Sequence, residues 1–116
     1  MATKIEDKFG VGIPDAVMQV RGRGTFWVEF KELDALPKRD ETPVRIKFRP
    51  GQTTWLENWK SCGGNSLLCV RIQDEKVWMM FDSNFKTVES GVPLRELVNL
   101  CYWRCGTLLF PNCLPQ

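Results

Sequence analysis

The stretch DAVMQVRGRGTFWVEFKE, Asp15 to Glu32, decides the fold. Asp15 to Val20 alternates in polarity and reads as a strand. Arg21-Gly22-Arg23-Gly24 is a turn. Thr25 to Glu32 is rich in aromatic and β-branched residues and reads as the returning strand of a hairpin. Successive residues of a strand point to opposite faces. Phe26, Val28 and Phe30 therefore share one face, with Ala16, Met18 and Val20 from the first strand. Trp27, Glu29 and Lys31 share the other, with Asp15, Val17 and Gln19. A three-residue loop at Gly22-Arg23-Gly24 keeps Asp15 and Glu29 on one face, because glycine takes the left-handed conformation such loops need. That register sets Asp15 across from Lys31 and diagonal to Glu29, with Cβ atoms about 7 Å apart.

Two carboxylates at that spacing repel one another when empty and can close on a divalent cation that takes oxygen ligands at about 2.1 Å. A lysine beside them suits hydrolysis of a phosphodiester. Its ammonium can neutralise charge that builds on phosphorus or orient the attacking water. Glu-x-Lys on a strand also has a plainer reading, a solvated face with a weak cross-pair.

Upstream, residues 1–8 read as a tail or short helix, and Phe9 to Pro14 as a glycine-rich loop. Downstream, Leu33 to Arg49 is charged, carries Pro37 and Pro43, and reads as a loop with room for a short strand at Val44 to Phe48. Pro50-Gly51-Gln52 opens a helix that runs to about Cys62, and Gly63-Gly64 closes it. Trp55, Leu56 and Trp59 are predicted on its buried face. Ser66 to Ile72 and Val77 to Phe81 read as further strands, with Asp74-Glu75 in the turn between them. Pro93 to Cys105 reads as a helix that is apolar nearly all round. The order β-β-α-β-β-α predicts an α/β (α+β) domain, a mixed sheet of about four strands flanked by helices.

The totals agree and exclude much. A chain of 116 residues, 43% apolar and 26% charged, is expected to form one domain spanning 1–116. It has no membrane-length apolar run and no apolar leader at Met1 to Lys8, so the expected location is cytoplasmic. The net charge is only +2, so nucleic-acid contact must come from a local patch rather than bulk charge. Five cysteines without a C-x-x-C pair read as free thiols. Zinc at Cys101, Cys105 and Cys113 would need a fourth ligand, and there is no histidine to give one. The missing histidine also excludes Ser-His-Asp and Cys-His catalysis. A hydrolase built from this chain must work with carboxylates, lysine and a hard cation.

Gly12-Ile13-Pro14-Asp15, then thirteen residues, then Glu29-Phe30-Lys31, resembles the G-x-PD…E-x-K signature of the PD-(D/E)XK nucleases. The continuation Phe48-Arg49-Pro50-Gly51-Gln52, with Trp55-Leu56 and Gly63-Gly64 before an apolar strand, is similar to the virus-type replication-repair nuclease family (VRR-NUC), whose stand-alone members are often phage-encoded. The resemblance covers about Phe9 to Phe81. It implies a restriction-endonuclease-like core and a DNA endonuclease dependent on Mg2+ or Mn2+. Branched or repair-type DNA, such as the Holliday junction, is the implied substrate, and a bacterial host cell the implied location. By position, Asp15 and Glu29 would bind the cation, the carbonyl of Phe30 would add a ligand, and Lys31 would be the catalytic lysine. Gln52 would face the metal site from the start of its helix; without the family it reads equally as a surface residue. Arg21, Arg23, Arg39, Arg45, Lys47 and Arg49 are candidates to hold phosphates, or else a solvated basic rim. The family usually supplies a further acid from a helix before the PD motif, and Glu6 is the local candidate. The resemblance also implies a homodimer, for which the apolar C-terminal helix or the strand beside it would be the contact. Two rivals stand beside this reading. One is a nuclease-fold protein that binds nucleic acid without cutting it; the other is a protein-interaction module. Trp55 and Trp59 read as core rather than as platforms for bases, and Trp27, on the face of Glu29, is left open.

Overall fold

The computed structural model describes residues 2–4 and 14–106. Ala2–Lys4 (β1), Ala16–Val20 (β2) and Gly24–Leu33 (β3) come first, then the helix Gln52–Ser61 (α1). Asn65–Ile72 (β4) and Val77–Phe81 (β5) follow, then two short helices, Phe85–Glu89 (α2) and Leu94–Leu100 (α3), and the strand Trp103–Gly106 (β6). The strands form one mixed sheet in the order β1-β2-β3-β4-β5-β6. Only β3 and β4 are parallel, and α1 lies in the long connection that a parallel pair requires. This is the predicted α/β arrangement, with the predicted strands β2 to β5 at its centre.

Both faces of the sheet are apolar. On one, Met18, Phe26, Val28, Leu67, Cys69 and Met80 form a buried cluster, with Phe30 and Trp78 against it. On the other, Leu68, Val70, Ile72, Met79 and Phe81 pack under Leu56 of α1, Phe85 and Val88 of α2, and Leu97 of α3. The near-continuous apolar run of β4 follows from this, since a strand buried on both faces has no polar alternation.

Several expectations are corrected. The hairpin register is Ala16↔Val28, Met18↔Phe26 and Val20↔Gly24, so the loop is Arg21-Gly22-Arg23 rather than Gly22-Arg23-Gly24. Carried one step on, that register puts Asp15 across from Glu29, not Lys31. The faces stay as predicted, because the shift is by two and side-chain direction repeats every two residues. Residues 2–4 are a strand paired with β2 rather than part of a tail or helix. The helix predicted to reach Cys105 stops at Leu100, and 103–106 pair with the open edge of β5. A free strand edge offers a row of backbone donors and acceptors, and the β-prone Tyr102-Trp103 stretch fills it. Val44 to Phe48 is extended, with Val44 and Ile46 buried and their neighbours not, but it joins no ladder. Helix α2 carries no counterpart in the sequence reading. Glu6, Gly12, Ile13 and Cys113 lie outside the described residues, as does the side chain of Cys105.

Candidate active site

The faces of β3 decide which side chains meet. Glu29 stands beside Leu68 of the parallel neighbour β4, under the start of α1, and is only 1% exposed. Lys31, two residues on, shares its face. Its Nζ lies 3.1 Å from Glu29 Oε2.

The segment Phe48-Arg49-Pro50-Gly51-Gln52 turns the chain onto this pair. Gly51 has φ 86° and ψ −10°, and the Gln52 N–H donates to the Arg49 carbonyl at 3.2 Å. That is the geometry of a type II turn, with proline at its second position and glycine, the residue that accepts positive φ, at its third. The turn delivers Gln52, 1% exposed, to the middle of the site. Its Oε1 accepts from Lys31 Nζ at 2.8 Å and from the Arg49 backbone N–H at 2.8 Å, and its Nε2 donates to Glu29 Oε2 at 2.8 Å. The amide thus fixes acid and lysine against each other. Gln52 is no surface residue, and its family-implied place facing the acidic pair is the one it takes. Phe48 lies under the lysine, with Lys31 Nζ 5.0 Å from its ring centroid, a cation–π distance.

Asp15 enters from the start of β2. Its Oδ2 accepts the backbone N–H of Phe30 at 3.1 Å, which ties the carboxylate to the strand that carries Glu29. Burial first, and then the negative charge of Asp15, push Glu29 up from the ordinary value near 4.5 to about 7, against the lowering pull of Lys31. Glu29 Oε1 is buried and has no hydrogen-bond partner. A buried carboxylate oxygen left bare costs free energy unless a ligand meets it. Among the described residues no three His, Cys, Asp or Glu side chains converge, so two carboxylates are what this part of the chain offers a cation. Magnesium-type sites commonly use one or two carboxylates and complete the shell with water and substrate phosphate.

The basic residues do not form one rim. Arg49 is in the turn that holds Gln52. Arg21 and Arg23 are in the hairpin loop, at the other end of β3. Arg45 lies against Gly91, on the α2–α3 side. Arg39 sits in a turn whose backbone meets the first residues of α3, and Lys47 is exposed beside Phe48. Arg49 is joined to the acidic pair through Gln52, which accepts its backbone N–H and donates to Glu29.

The sequence reading missed two features. Phe48 gave no signal of its own as a support for Lys31. Trp55 and Trp59 were predicted in the core, yet the buried residues of α1 are Gln52, Thr53 and Leu56, and Trp59 is 37% exposed. The helix turns polar groups inward. Gln52 bonds the site, and Thr53 Oγ1 donates to Glu89 at 2.7 Å. That rotation leaves Trp59 exposed and Trp55 half-buried.

No family model matches the chain, and no curated protein matches it. Among solved structures it is similar to Hjc of Archaeoglobus fulgidus, a Holliday junction resolvase from an archaeal hyperthermophile. The TM-score is 0.48 and the identity 14%, over 83% of this chain and 84% of that one. A likeness of that size does not say what this chain does; the residues around Glu29 have to.

Proposed function

We propose that this chain, 1–116, is a single-domain divalent-metal-dependent nuclease that hydrolyses phosphodiester bonds in DNA, with branched or repair-type DNA as its substrate. The observation that carries the reading is Glu29. A buried carboxylate with one bare oxygen and a raised pKa, beside a second carboxylate and a lysine, is a poor structural element and a good cation site. Asp15 and Glu29 would hold Mg2+ or Mn2+, with the Phe30 carbonyl as a further oxygen. When bound, the cation supplies Lewis acidity toward a phosphoryl oxygen and makes water more acidic.

The chain's own groups do the rest. Lys31 offers its ammonium to charge developing on the phosphate. Gln52 keeps that ammonium and Glu29 in register, so little reorganisation is needed when substrate arrives. Arg49, in the adjoining turn, is placed to meet a flanking phosphate, and Arg21 and Arg23 a more distant one. The resemblance to the virus-type replication-repair nucleases adds a phage origin and a homodimer, which would present two sites to a symmetric junction. The contact would involve Val98 and Tyr102, both exposed, beside β6.

The test is cleavage of labelled duplex, flap and four-way DNA in Mg2+, Mn2+ or excess chelator. Cutting is expected with either ion and none with chelator, and Asp15→Asn should abolish it. Undiminished cutting in chelator would sink the mechanism. Binding without cutting in every ion would leave a nuclease-fold DNA-binding protein. Sedimentation at micromolar concentration decides the dimer.

A further inference from the structure

The outer end of α1 carries a cluster that the carboxylate site does not use. Trp55, Asn58, Trp59 and Cys62 are three, four and seven residues apart, hence one stripe of the helix, and they line an open pocket of about 270 Å³. The Trp55 and Trp59 rings are stacked, with centroids 5.5 Å apart and planes 19° apart. Trp27 of β3 braces both, at 4.9 Å from Trp55 and 5.9 Å edge-on to Trp59. Trp59 rests on Gly64, where any Cβ would collide with the indole. The rings are therefore oriented before anything binds, and a planar partner can add to their free surface without first ordering it.

Three observations point to what that partner is. The patch is aromatic, with a polar amide, Asn58, at its rim and no acidic residue in its lining. The basic turn Arg21-Gly22-Arg23 lies at the same end of the sheet. Phe26 pairs with Asn65, Asn65 Nδ2 donates to the Thr25 carbonyl at 3.3 Å, and Gly64, the seat of Trp59, is the next residue back. Trp27 precedes Glu29 by two residues on one face of one strand, so the ring that braces the patch leaves the strand about 7 Å along it from the residue that carries the buried carboxylate. Stacked indoles beside arginines suit a flat heterocycle on an anionic backbone.

We propose that Trp55 and Trp59, braced by Trp27, stack an unpaired nucleobase of the DNA strand that passes the Asp15–Glu29 site. The chain thereby selects substrates with single-stranded or frayed segments over continuous duplex. A base inside a duplex is stacked on both sides and cannot reach this surface. The inference rests on the nuclease reading for the identity of the strand, but its test does not depend on cleavage.

The experiment is binding of a short fluorescein-labelled oligothymidylate and of a blunt duplex to the full chain, by anisotropy, in excess chelator. Trp59→Leu keeps an apolar side chain and removes the aromatic face, while Trp59→Phe keeps a smaller face. Trp59→Leu is expected to reduce the preference for the unpaired strand roughly 5- to 150-fold, with Trp59→Phe between it and the parent. The oligothymidylate should also quench tryptophan emission in the parent. Thermal melts check that each variant is folded, and Trp59→Phe carries the test should Trp59→Leu fail to fold. No quenching, an unchanged preference in Trp59→Leu, or equal losses for duplex and single strand would each overturn the proposal. If the preference depends on Trp59 but no DNA is cut in any ion, the platform stands and the nuclease reading falls. If DNA is cut and Trp59→Leu binds like the parent, the reverse holds.

Discussion

The two faces of β3 are made from one alternating segment and do opposite things. On one, Phe26 and Val28 are buried among Met18, Leu67, Cys69 and Met80, with no ionisable carboxylate or ammonium among them. On the other, Trp27, Glu29 and Lys31 sit against α1, and burial there produces a carboxylate of raised pKa with a bare oxygen. Both faces exclude water. The difference is what they exclude it from. Burying Phe26 stabilises the fold; burying Glu29 costs stability and creates a site that a cation can complete. Local rules broken at one place in an otherwise consistent strand mark function rather than poor packing.

Paired substitutions break or sharpen that contrast. Lys31→Ala should lower kcat by about 10²–10³, the usual loss when one group that stabilises developing charge is removed, and lower the melting midpoint less than Phe26→Ala does, because Glu29 and Gln52 lose a partner but Glu29 can take up a proton in its place. Phe26→Ala should destabilise the protein by about 3–5 kcal/mol through the cavity it leaves, read by urea denaturation. Phe30→Ala should cost less than Phe26→Ala, because that ring is only half-buried and leans edge-on against Trp78 at 5.9 Å. If Lys31→Ala unfolds the domain while Phe26→Ala is harmless, the two faces have been assigned to the wrong roles.

The second contrast is electrostatic and somewhat smaller. The unfolded chain releases the Glu29 proton near pH 4.5, whereas the folded chain holds it to about pH 7. Between those values the folded state binds more protons, so stability falls as pH rises and then levels off. The shift from 4.5 to about 7 corresponds to a loss of up to about 3 kcal/mol at 1.36 kcal/mol per pH unit. Glu29→Gln has no such proton. Without metal it should match the parent near pH 4.5, exceed it increasingly up to pH 7 and stay above it at pH 8, while cutting no DNA. Parallel stability curves for the two proteins would show that Glu29 is solvated in the folded state.

These contrasts were legible in the sequence because alternation needs only local information. The polar and apolar positions from 15 to 32 fix the two faces of each strand, and every register that differs by two residues matches the same faces across the pair. The register itself was not legible, since Gly22 and Gly24 both serve a three-residue loop and both take positive φ, 79° and 90°. Gln52 was legible only through the Pro50-Gly51 pair and the family resemblance. Its helix turns Gln52, Thr53 and Leu56 inward, a mixed set that hydrophobic periodicity cannot find. The same rotation exposes Trp59, which an apolar stripe would have buried. The C-terminal boundary failed for a non-local reason. The segment from Leu94 is helical by pattern, and what ends it after Leu100 is the vacant edge of β5, more than twenty residues back in sequence.

The smallest effect concerns Phe48, which stands in the stretch that carries the resemblance but was given no role by it. Its ring lies 5.0 Å from the Lys31 ammonium, which Gln52 Oε1 and Glu29 Oε2 hold from other directions. An aromatic face holds an ammonium with about 0.5–1 kcal/mol where solvent has some access, and Lys31 is 15% exposed. Phe48→Leu keeps an apolar side chain against the neighbouring core and removes the π face. The ammonium keeps two of its three anchors, so the expected loss is about two- to five-fold in kcat, with DNA affinity unchanged in chelator. Phe48→Tyr should restore the parent rate, because the face returns. A loss in affinity equal to the loss in kcat would mean that Phe48 meets DNA directly, and a loss beyond a hundred-fold would mean that Lys31 depends on Phe48 more than on Gln52. In the second case the support of the lysine would lie on the loop after β3 rather than on α1, and the contrast between the two faces of β3 would have to include that loop.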